Sequence, residues 1–211
     1  MINDLSNRRL NSIDLVQQPP DSLLCGAANA KMVMNYFFSD SDDIYNIYQQ
    51  VTAISTMGRR YNANYLIAQY LEKNKLNVSM IRFSDLEAIL NYCEKNQTPA
   101  IMNIQVETDP LLGHLILFTG YKVDEDIVRI LDPENISRTS IQFKTLSDSF
   151  IKISDNAEIG GNIMILASDK LKSKQKFICK NCKKENSVET EILNAIQGLI
   201  CINCDRFVSV H

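Results

Sequence analysis

The feature that most constrains this chain is a pair of Cys-x-x-Cys motifs near its C-terminal end. Cys179 and Cys182 form the first motif, Cys201 and Cys204 form the second, and 18 residues separate the two. Each motif can turn two thiolates toward one ion, and two motifs complete a tetrahedral S4 site for Zn²⁺. Because four protein ligands leave no position for water, the ion is expected to be structural. The spacing therefore predicts a zinc ribbon over residues 178–211.

Other interpretations of these cysteines are weaker. Two redox-active motifs would need a strand-and-helix setting that the surrounding sequence lacks, and an iron–sulfur cluster is the remaining alternative for four thiolates. Residues 169–177 precede the motifs as a lysine-rich linker, and seven lysines fall between Lys170 and Lys184. These basic residues could contact nucleic acid or an acidic protein face. We expect the ribbon to dock a protein partner or to dimerise.

The composition of the whole chain is typical of a globular protein. Its main domain is predicted to be residues 1–168. Hydrophobic residues make up 45% and the net charge is −3, so no basic field argues for a nucleic-acid partner. No apolar run is long enough to span a membrane. The N-terminal stretch MINDLSNRRLNSIDL lacks the apolar region of a secretory signal. Together these observations predict a soluble, cytoplasmic protein.

Apolar periodicity predicts helices first and antiparallel strands later, which is an α+β arrangement. Helices are expected at 25–38, 43–54 and 63–73, and from a capping-box pattern formed by Ser84 and Glu87. Strands are expected at 77–83, 100–106, 114–121, 127–131, 139–143 and 162–167.

Cys25 is placed where a nucleophilic thiol is expected. It precedes Gly26 at the start of the first predicted helix, where the positive end of the helix dipole favours thiolate over thiol. Such a nucleophile needs a general base, and the chain has two histidines. His211 is the terminal residue, whereas His114 opens the most apolar strand, so His114 is the candidate base. Cys93, on the apolar face of a predicted helix, is interpreted as a core residue.

Two further polar side chains complete the candidate site. Asp132 ends the strand after that of the histidine, and in a hairpin turning at residues 124–126 it would be a diagonal neighbour, reachable through a modest twist or a bulge. Its carboxylate could fix the tautomer of the imidazole. Gln17 or Gln18 could add a side-chain amide to the backbone N–H of the cysteine and form an oxyanion hole.

In this order the residues resemble the papain-like cysteine peptidase fold, and within it the bacteriocin-processing (double-glycine leader) peptidase family. The likeness covers roughly residues 10–167 and rests on Gln18-x6-Cys25-Gly26-x-Ala28, on Gly113-His114 before LILFTGY, on Leu131-Asp132-Pro133 and on the strand TPAIMNIQV. The resemblance implies that Cys25 is the nucleophile, His114 the base, Asp132 the residue that orients it and Gln18 the oxyanion donor. It also implies a helical N-terminal part and an antiparallel sheet in the C-terminal part.

The chain departs from the family at three points. Leu24 stands where members usually have Asp, and the family's glutamine usually lies one residue nearer, which leaves Gln17 and Gln18 both open. Family peptidases are often fused to a membrane exporter, and this sequence contains none. The four candidate catalytic residues are present in spite of these differences. The resemblance does not, however, imply specificity for a double-glycine leader.

The sequence therefore predicts a cysteine peptidase that cleaves a peptide or protein amide through a thioester on Cys25. Two alternatives belong to other classes. The same triad could serve acyl transfer, as in transglutaminase-like or toxin-type relatives. The groove could also be that of an inactive adaptor, which binds peptide and is recruited through the zinc ribbon.

Overall fold

The computed structural model describes residues 8–20, 22–38, 42–56, 58–106, 109–150, 162–170 and 172–210. Its helices are α1 (Cys25–Phe37), α2 (Ile44–Val51), α3 (Asn64–Lys73), α4 (Leu86–Asn96) and α5 (Phe143–Ser149). None of these helices has the length and apolar character needed to cross a membrane.

The strands are β1 (Thr52–Ile54), β2 (Arg60–Asn62), β3 (Asn77–Phe83), β4 (Ala100–Val106), β5 (Asp109–Lys122), β6 (Ile127–Leu131), β7 (Ser140–Gln142), β8 (Ile163–Ser168), β9 (Lys174–Ile178), β10 (Glu185–Glu189), β11 (Ile196–Ile200) and β12 (Phe207–Ser209). One antiparallel sheet has the order β12-β11-β3-β8-β4-β5-β6-β7, while β1–β2 and β9–β10 are separate hairpins. Helices and a large antiparallel sheet confirm the predicted α+β class.

Helix α1 is the central element of the helical layer. It packs against α2, α3 and β5, and the small side chains of its first turns allow this close approach. Ala27, Ala28 and Ala30 are fully buried, and Met32 and Val33 continue the core behind them. The apolar run from residue 25 therefore forms the predicted helix, with most of its side chains buried in a close-packed core.

Helix α2 is shorter than predicted. Its final turn closes where Thr52 Oγ1 donates to the carbonyl of Tyr48 at 2.8 Å, and the chain then continues as β1. Strand β1 pairs with β2, with Thr52 opposite Asn62. The predicted extension of the helix to residue 54 is wrong, because the β-branched residues at its end favour the strand.

Two smaller predictions also need correction. The cap of α4 is Asp85, whose Oδ1 accepts from the N–H of Ala88 at 3.0 Å, whereas the N–H of Ser84 donates to Ala195. The strand predicted at 139–143 ends at Gln142, and α5 follows because Leu146 supplies the buried contact of a short helix.

The C-terminal strands extend the main sheet. Strand β11 pairs with β3, with Leu199 opposite Ile81, and β12 pairs with β11. The segment 178–211 therefore contributes two strands to the sheet formed by the earlier residues. The division into units 1–168, 169–177 and 178–211 stays a prediction.

Candidate active site

Cys25 is the first residue of α1 and is largely buried. The helix start is fixed to the sheet by Asn29, whose Nδ2 donates to the carbonyls of Cys25 and Leu115, each at 2.8 Å. Asn29 is fully buried. The sequence analysis did not identify it, although an asparagine within the apolar run CGAANAKMVM was the available signal. This bridge sets the distance between α1 and β5.

His114 and Asp132 form a buried pair, with Nε2 of the histidine 2.8 Å from Oδ1 of the aspartate. A bulge within residues 118–120 shifts the β5–β6 register, so that Leu117 pairs with Leu131. Continuing this register places Asp132 opposite the position two residues beyond His114, on the same face of the sheet. Without the bulge, Asp132 would lie opposite Leu117 and face the other side.

The environment of His114 favours its charged form. Burial by itself would lower its pKa, but the hydrogen bond to Asp132 and the neighbouring Cys25 thiol outweigh that effect and raise the pKa to about 10. Because Nε2 is engaged by Asp132, Nδ1 is the ring nitrogen available to the cysteine. The geometry therefore suits an imidazolium beside a thiolate, as a nucleophilic cysteine requires.

Asp132 is held as an anion. Burial alone would raise its pKa, but the bond from His114 and the backbone N–H groups of Asn135 and Glu134 lower it below the ordinary value. These two N–H groups lie 3.2 Å and 3.0 Å from Oδ1, and Arg138 Nη1 lies 3.5 Å from Oδ2. A carboxylate with this many donors can orient the imidazole without taking its proton.

Glu134 is a site residue that sequence reasoning missed. Its Oε2 lies 3.5 Å from His114 Nδ1, and its side chain is 65% exposed. It lines a cavity of about 820 Å³ beside the histidine. Apart from Ile104, the described residues around this cavity carry polar or charged side chains; they include Gln105, Asn135, Arg138 and Asp148.

The structure separates the two candidate glutamines. Gln18 is buried, whereas Gln17 is exposed. The N–H of Gln18 donates to Pro133 at 2.9 Å, and its Nε2 donates to the carbonyl of Ser22 at 3.0 Å. Its Oε1 has no hydrogen-bond partner among the described residues. Gln18 therefore lies between the Asp132 turn and the start of α1, and its Nε2 carries a second N–H that could donate to a substrate oxygen.

Asn62 was also missed. It ends β2, and its Nδ2 lies 2.9 Å from the carbonyl of Leu23 and 3.4 Å from Cys25 Sγ. Its position depends on the β1–β2 hairpin, which the helix predicted through residue 54 did not include. The hairpin thus brings a side-chain amide into contact with the sulfur of Cys25.

The four C-terminal cysteines lie together. Cys179 Sγ is 3.6 Å from Cys204 Sγ, Cys182 Sγ is 3.6 Å from Cys201 Sγ, and all four sulfurs lie within 4.8 Å of one another. These separations are too long for disulfides and match the ~3.8 Å between thiolates of a tetrahedral ion with bonds of about 2.3 Å. The cluster could bind a metal ion. Each Cys-x-x-Cys motif and the turn that it forms, here called a knuckle, supplies two of the four sulfurs.

The remaining thiol and imidazole lie elsewhere. Cys93 is fully buried in α4, and burial raises the pKa of its thiol, which agrees with its interpretation as a core residue. His211 lies outside the described residues. Within the described part of the chain, the structure thus brings together the predicted set of Cys25, His114, Asp132 and Gln18.

Helices that carry the cysteine, packed against an antiparallel sheet that carries the histidine, are the arrangement of papain-like cysteine peptidases, and the chain is an enzyme of this class. More narrowly, it belongs to the Peptidase_C39-like family, whose model matches residues 10–158. The resemblance noted from the sequence is therefore confirmed. No curated protein matches the chain significantly.

Solved structures show the same fold. A C39-like peptidase from Bacillus anthracis superposes with a TM-score of 0.61 at 14% identity, covering 78% of this chain and 98% of that one. The peptidase domain of Streptococcus ComA, a bifunctional ABC transporter of a quorum-sensing pathway, gives 0.55 at 15%, covering 75% and 99%. A double-glycine motif protease from an AMS/PCAT transporter, in complex with its leader peptide, gives 0.53 at 16%, covering 77% and 94%.

Proposed function

We propose that this chain cleaves a peptide or protein amide bond with Cys25 as nucleophile and His114 as acid and base. The observation that carries the proposal is the 2.8 Å bond between His114 Nε2 and Asp132 Oδ1, which leaves Nδ1 for the cysteine at the start of α1. Asp132 orients the imidazole and stabilises its charge.

The proposed reaction has two steps. The Cys25 thiolate attacks the carbonyl carbon, and the electron pair of the C=O bond moves to the oxygen. The oxyanion accepts from Gln18 Nε2 and from the N–H of Cys25. The intermediate collapses to a thioester as the amine leaves with the proton of His114. Water, deprotonated by His114, then cleaves the thioester and releases the carboxylate and the thiolate.

The substrate class we propose is a peptide, because the matched leader-peptide complex holds one and the chain shares its fold. Apart from Ile104, the described residues that line the cavity beside His114 are polar or charged, which supports hydrogen bonds to a peptide near the bond that is cleaved. Cleavage after a double glycine is not part of the proposal. A protein partner that docks on the cysteine cluster stays a prediction.

The proposal is tested with the full chain, iodoacetamide and a mixed peptide library read by mass spectrometry. Cys25 is expected to alkylate faster than Cys93, because Cys25 lies beside His114 whereas Cys93 is fully buried. Cys25→Ala and His114→Ala are each expected to abolish cleavage, since the two residues act as a unit. Cys93→Ala is the matched control and is expected to cleave normally.

Three outcomes of that experiment would contradict the proposal. Cleavage that survives His114→Ala would exclude the triad. Products that contain an added amine in place of water would assign acyl transfer instead. A reactive Cys25 with no cleavage in the library and tight peptide binding would assign an adaptor.

We also propose that the four-cysteine cluster binds a structural zinc ion. The sulfur separations of 3.6 Å support it, and so does Asn186, which is buried and whose Nδ2 lies 3.5 Å from Cys201 Sγ. A donor of this kind orients a ligand and offsets its charge. Zinc held by four thiolates would stabilise the knuckles and supply no open position for catalysis.

A further inference from the structure

Asn62 contacts the proposed nucleophile through an amide whose orientation is fixed. Its Nδ2 lies 2.9 Å from the carbonyl oxygen of Leu23 and 3.4 Å from Cys25 Sγ. Because a backbone carbonyl oxygen can only accept a hydrogen bond, the atom facing Leu23 must be the amide nitrogen. One N–H is donated to that oxygen, and the second is directed toward the sulfur.

The residue after the cysteine fits this arrangement. A Cβ at Gly26 would lie 2.6 Å from Asn62 Oδ1, so a side chain larger than that of glycine would displace the amide. Gly26 and the carbonyl of Leu23 thus hold Asn62 from two sides. The glycine of the Cys-Gly pair has a local reason here, which is to admit the amide beside the sulfur.

Asn62 destabilises the fold in a way that an apolar side chain at this position would not. Its Oδ1 is buried and has no hydrogen-bond partner among the described residues. An unpaired buried oxygen is unfavourable, and an apolar side chain of the same shape would remove the penalty. The amide therefore needs a benefit elsewhere, and the contact with sulfur supplies one.

We propose that Asn62 is a catalytic residue that stabilises the Cys25 thiolate and directs it toward the substrate. The inference rests on the proposed role of Cys25 as nucleophile. An N–H donated to an anion is stronger than one donated to a neutral thiol, so the contact favours the thiolate. When the S–C bond forms, the sulfur loses its charge and the hydrogen bond weakens. Asn62 transfers no proton.

This role has a kinetic signature that structural support alone lacks. Stabilising a thiolate increases its abundance but lowers its intrinsic nucleophilicity. Loss of the donor should therefore slow the reaction of Cys25 at low pH and leave the limiting rate at high pH undiminished. The titratable group that contacts Cys25 from β5 is His114. Asp132 faces its Nε2 and Glu134 lies 3.5 Å from its Nδ1, and all three residues stay unchanged in the variants.

The test is the pH dependence of iodoacetamide alkylation at Cys25 in the full chain. Asn62→Leu keeps the approximate shape of the side chain and removes both donors. The pH of half-maximal alkylation is expected to rise by about one unit, with a roughly tenfold lower rate at low pH and no loss at the high-pH limit. Asn74→Leu is the matched control, because Asn74 is also half-buried and donates to a backbone carbonyl, that of Tyr70 at 2.8 Å. Its profile is expected to be that of the unmodified chain.

An unchanged profile in a folded Asn62→Leu variant would overturn the assignment, and so would an equal shift in the control. If the leucine variant unfolds, Asn62→Asp replaces it, because it is nearly isosteric and sets a like charge beside the sulfur. Its midpoint is expected to rise further, and an unchanged midpoint overturns the proposal. Failure of the nucleophile assignment would differ, since Cys25 of the unmodified chain would then alkylate no faster at low pH than a free thiol.

Discussion

At the residue scale, the site depends on how completely Asp132 is held. Its Oδ1 accepts from His114 and from two backbone N–H groups, and Arg138 lies near Oδ2. A carboxylate with these partners cannot rotate away from the imidazole without losing several charge-assisted hydrogen bonds. Asp132 thereby fixes the ring and, together with the neighbouring Cys25, raises the pKa of His114 to about 10 against the effect of burial.

The sign of the pH effect follows from that value. The pKa of His114 in the folded chain exceeds the ordinary 6.5, so the pair favours the folded state most strongly below about pH 6.5. This contribution is lost as the pH rises through about 10. The proposed acid role of His114 should decline over the same range, because the leaving amine needs the proton.

Asp132→Asn is expected to move the high-pH limb of the cleavage profile to lower pH and to leave measurable activity. The amide oxygen of asparagine can still accept hydrogen bonds from the backbone N–H groups. The substitution nevertheless removes the negative charge that stabilises the imidazolium. Asp148→Asn is the control, since Asp148 lines the same cavity and pairs with Lys144 at 2.7 Å. A high-pH limb that stays in place in Asp132→Asn would contradict the role of the carboxylate.

At the scale of elements, the contact between α1 and β5 decides whether the cysteine and the histidine meet. Asn29 is a polar connection in that contact, and fully buried alanines lie beside it in the helix. The β5–β6 bulge then turns Asp132 onto the face of His114. The site thus combines the start of α1, which carries Cys25, with β5, which carries His114, and with the end of β6, which Asp132 follows.

Asn29→Leu is expected to lower the free energy of unfolding by about 1–3 kcal/mol and to slow alkylation of Cys25, because the carbonyl of Leu115 loses its donor from α1. Asn96→Leu is the matched control. Asn96 also donates to the carbonyl four residues earlier, that of Tyr92 at 2.9 Å within the same helix, and its other contact, with Oε2 of the exposed Glu191, is longer at 3.5 Å. Denaturant melts and alkylation rates measure both effects. If Asn29→Leu matched the control in both measurements, the bridge would have no positioning role.

At the scale of the whole molecule, the cysteine cluster and the sheet are continuous. Cys201 directly follows β11, which pairs with β3. The knuckles also contact α3, through Gln69 Nε2 to the carbonyl of Ile202 at 2.6 Å and Lys184 Nζ to Glu72 at 3.0 Å. An ion in the cluster would therefore stabilise the edge of the sheet as well as the knuckles.

Metal analysis of the purified chain is expected to give one zinc ion per chain. Removal of that ion by a chelator is expected to lower the melting temperature of the whole molecule, since binding stabilises only the folded state. Cys182→Ser should lose the ion and Cys93→Ala should keep it. A folded chain without metal would exclude the site.

A chain ending at Ser168 separates the two views of its organisation. It would expose the edge of β3 that β11 now covers, so we expect it to be destabilised and to aggregate. If it folded and kept a reactive Cys25, the boundary predicted from the sequence would be supported.

The sequence by itself predicted the candidate site residues and determined most of the elements. Cys25 before Gly26, His114 after Gly113 and the Cys-x-x-Cys spacing are local patterns, and local patterns suffice where a residue's role depends on its immediate neighbours. Long apolar runs likewise predicted α1, β4 and β5, because burial on both faces leaves few alternatives for such segments.

Only the tertiary structure decided the contacts between distant segments. The register shift that brings Asp132 to His114, the burial of Gln18 beside an exposed Gln17, and the approach of Asn62 to Cys25 all depend on how elements pack. The addition of β11 to β3 belongs with them. Each of these contacts joins residues that are far apart in sequence. Their pairing depends on how the whole core packs, and a local sequence pattern does not contain that information.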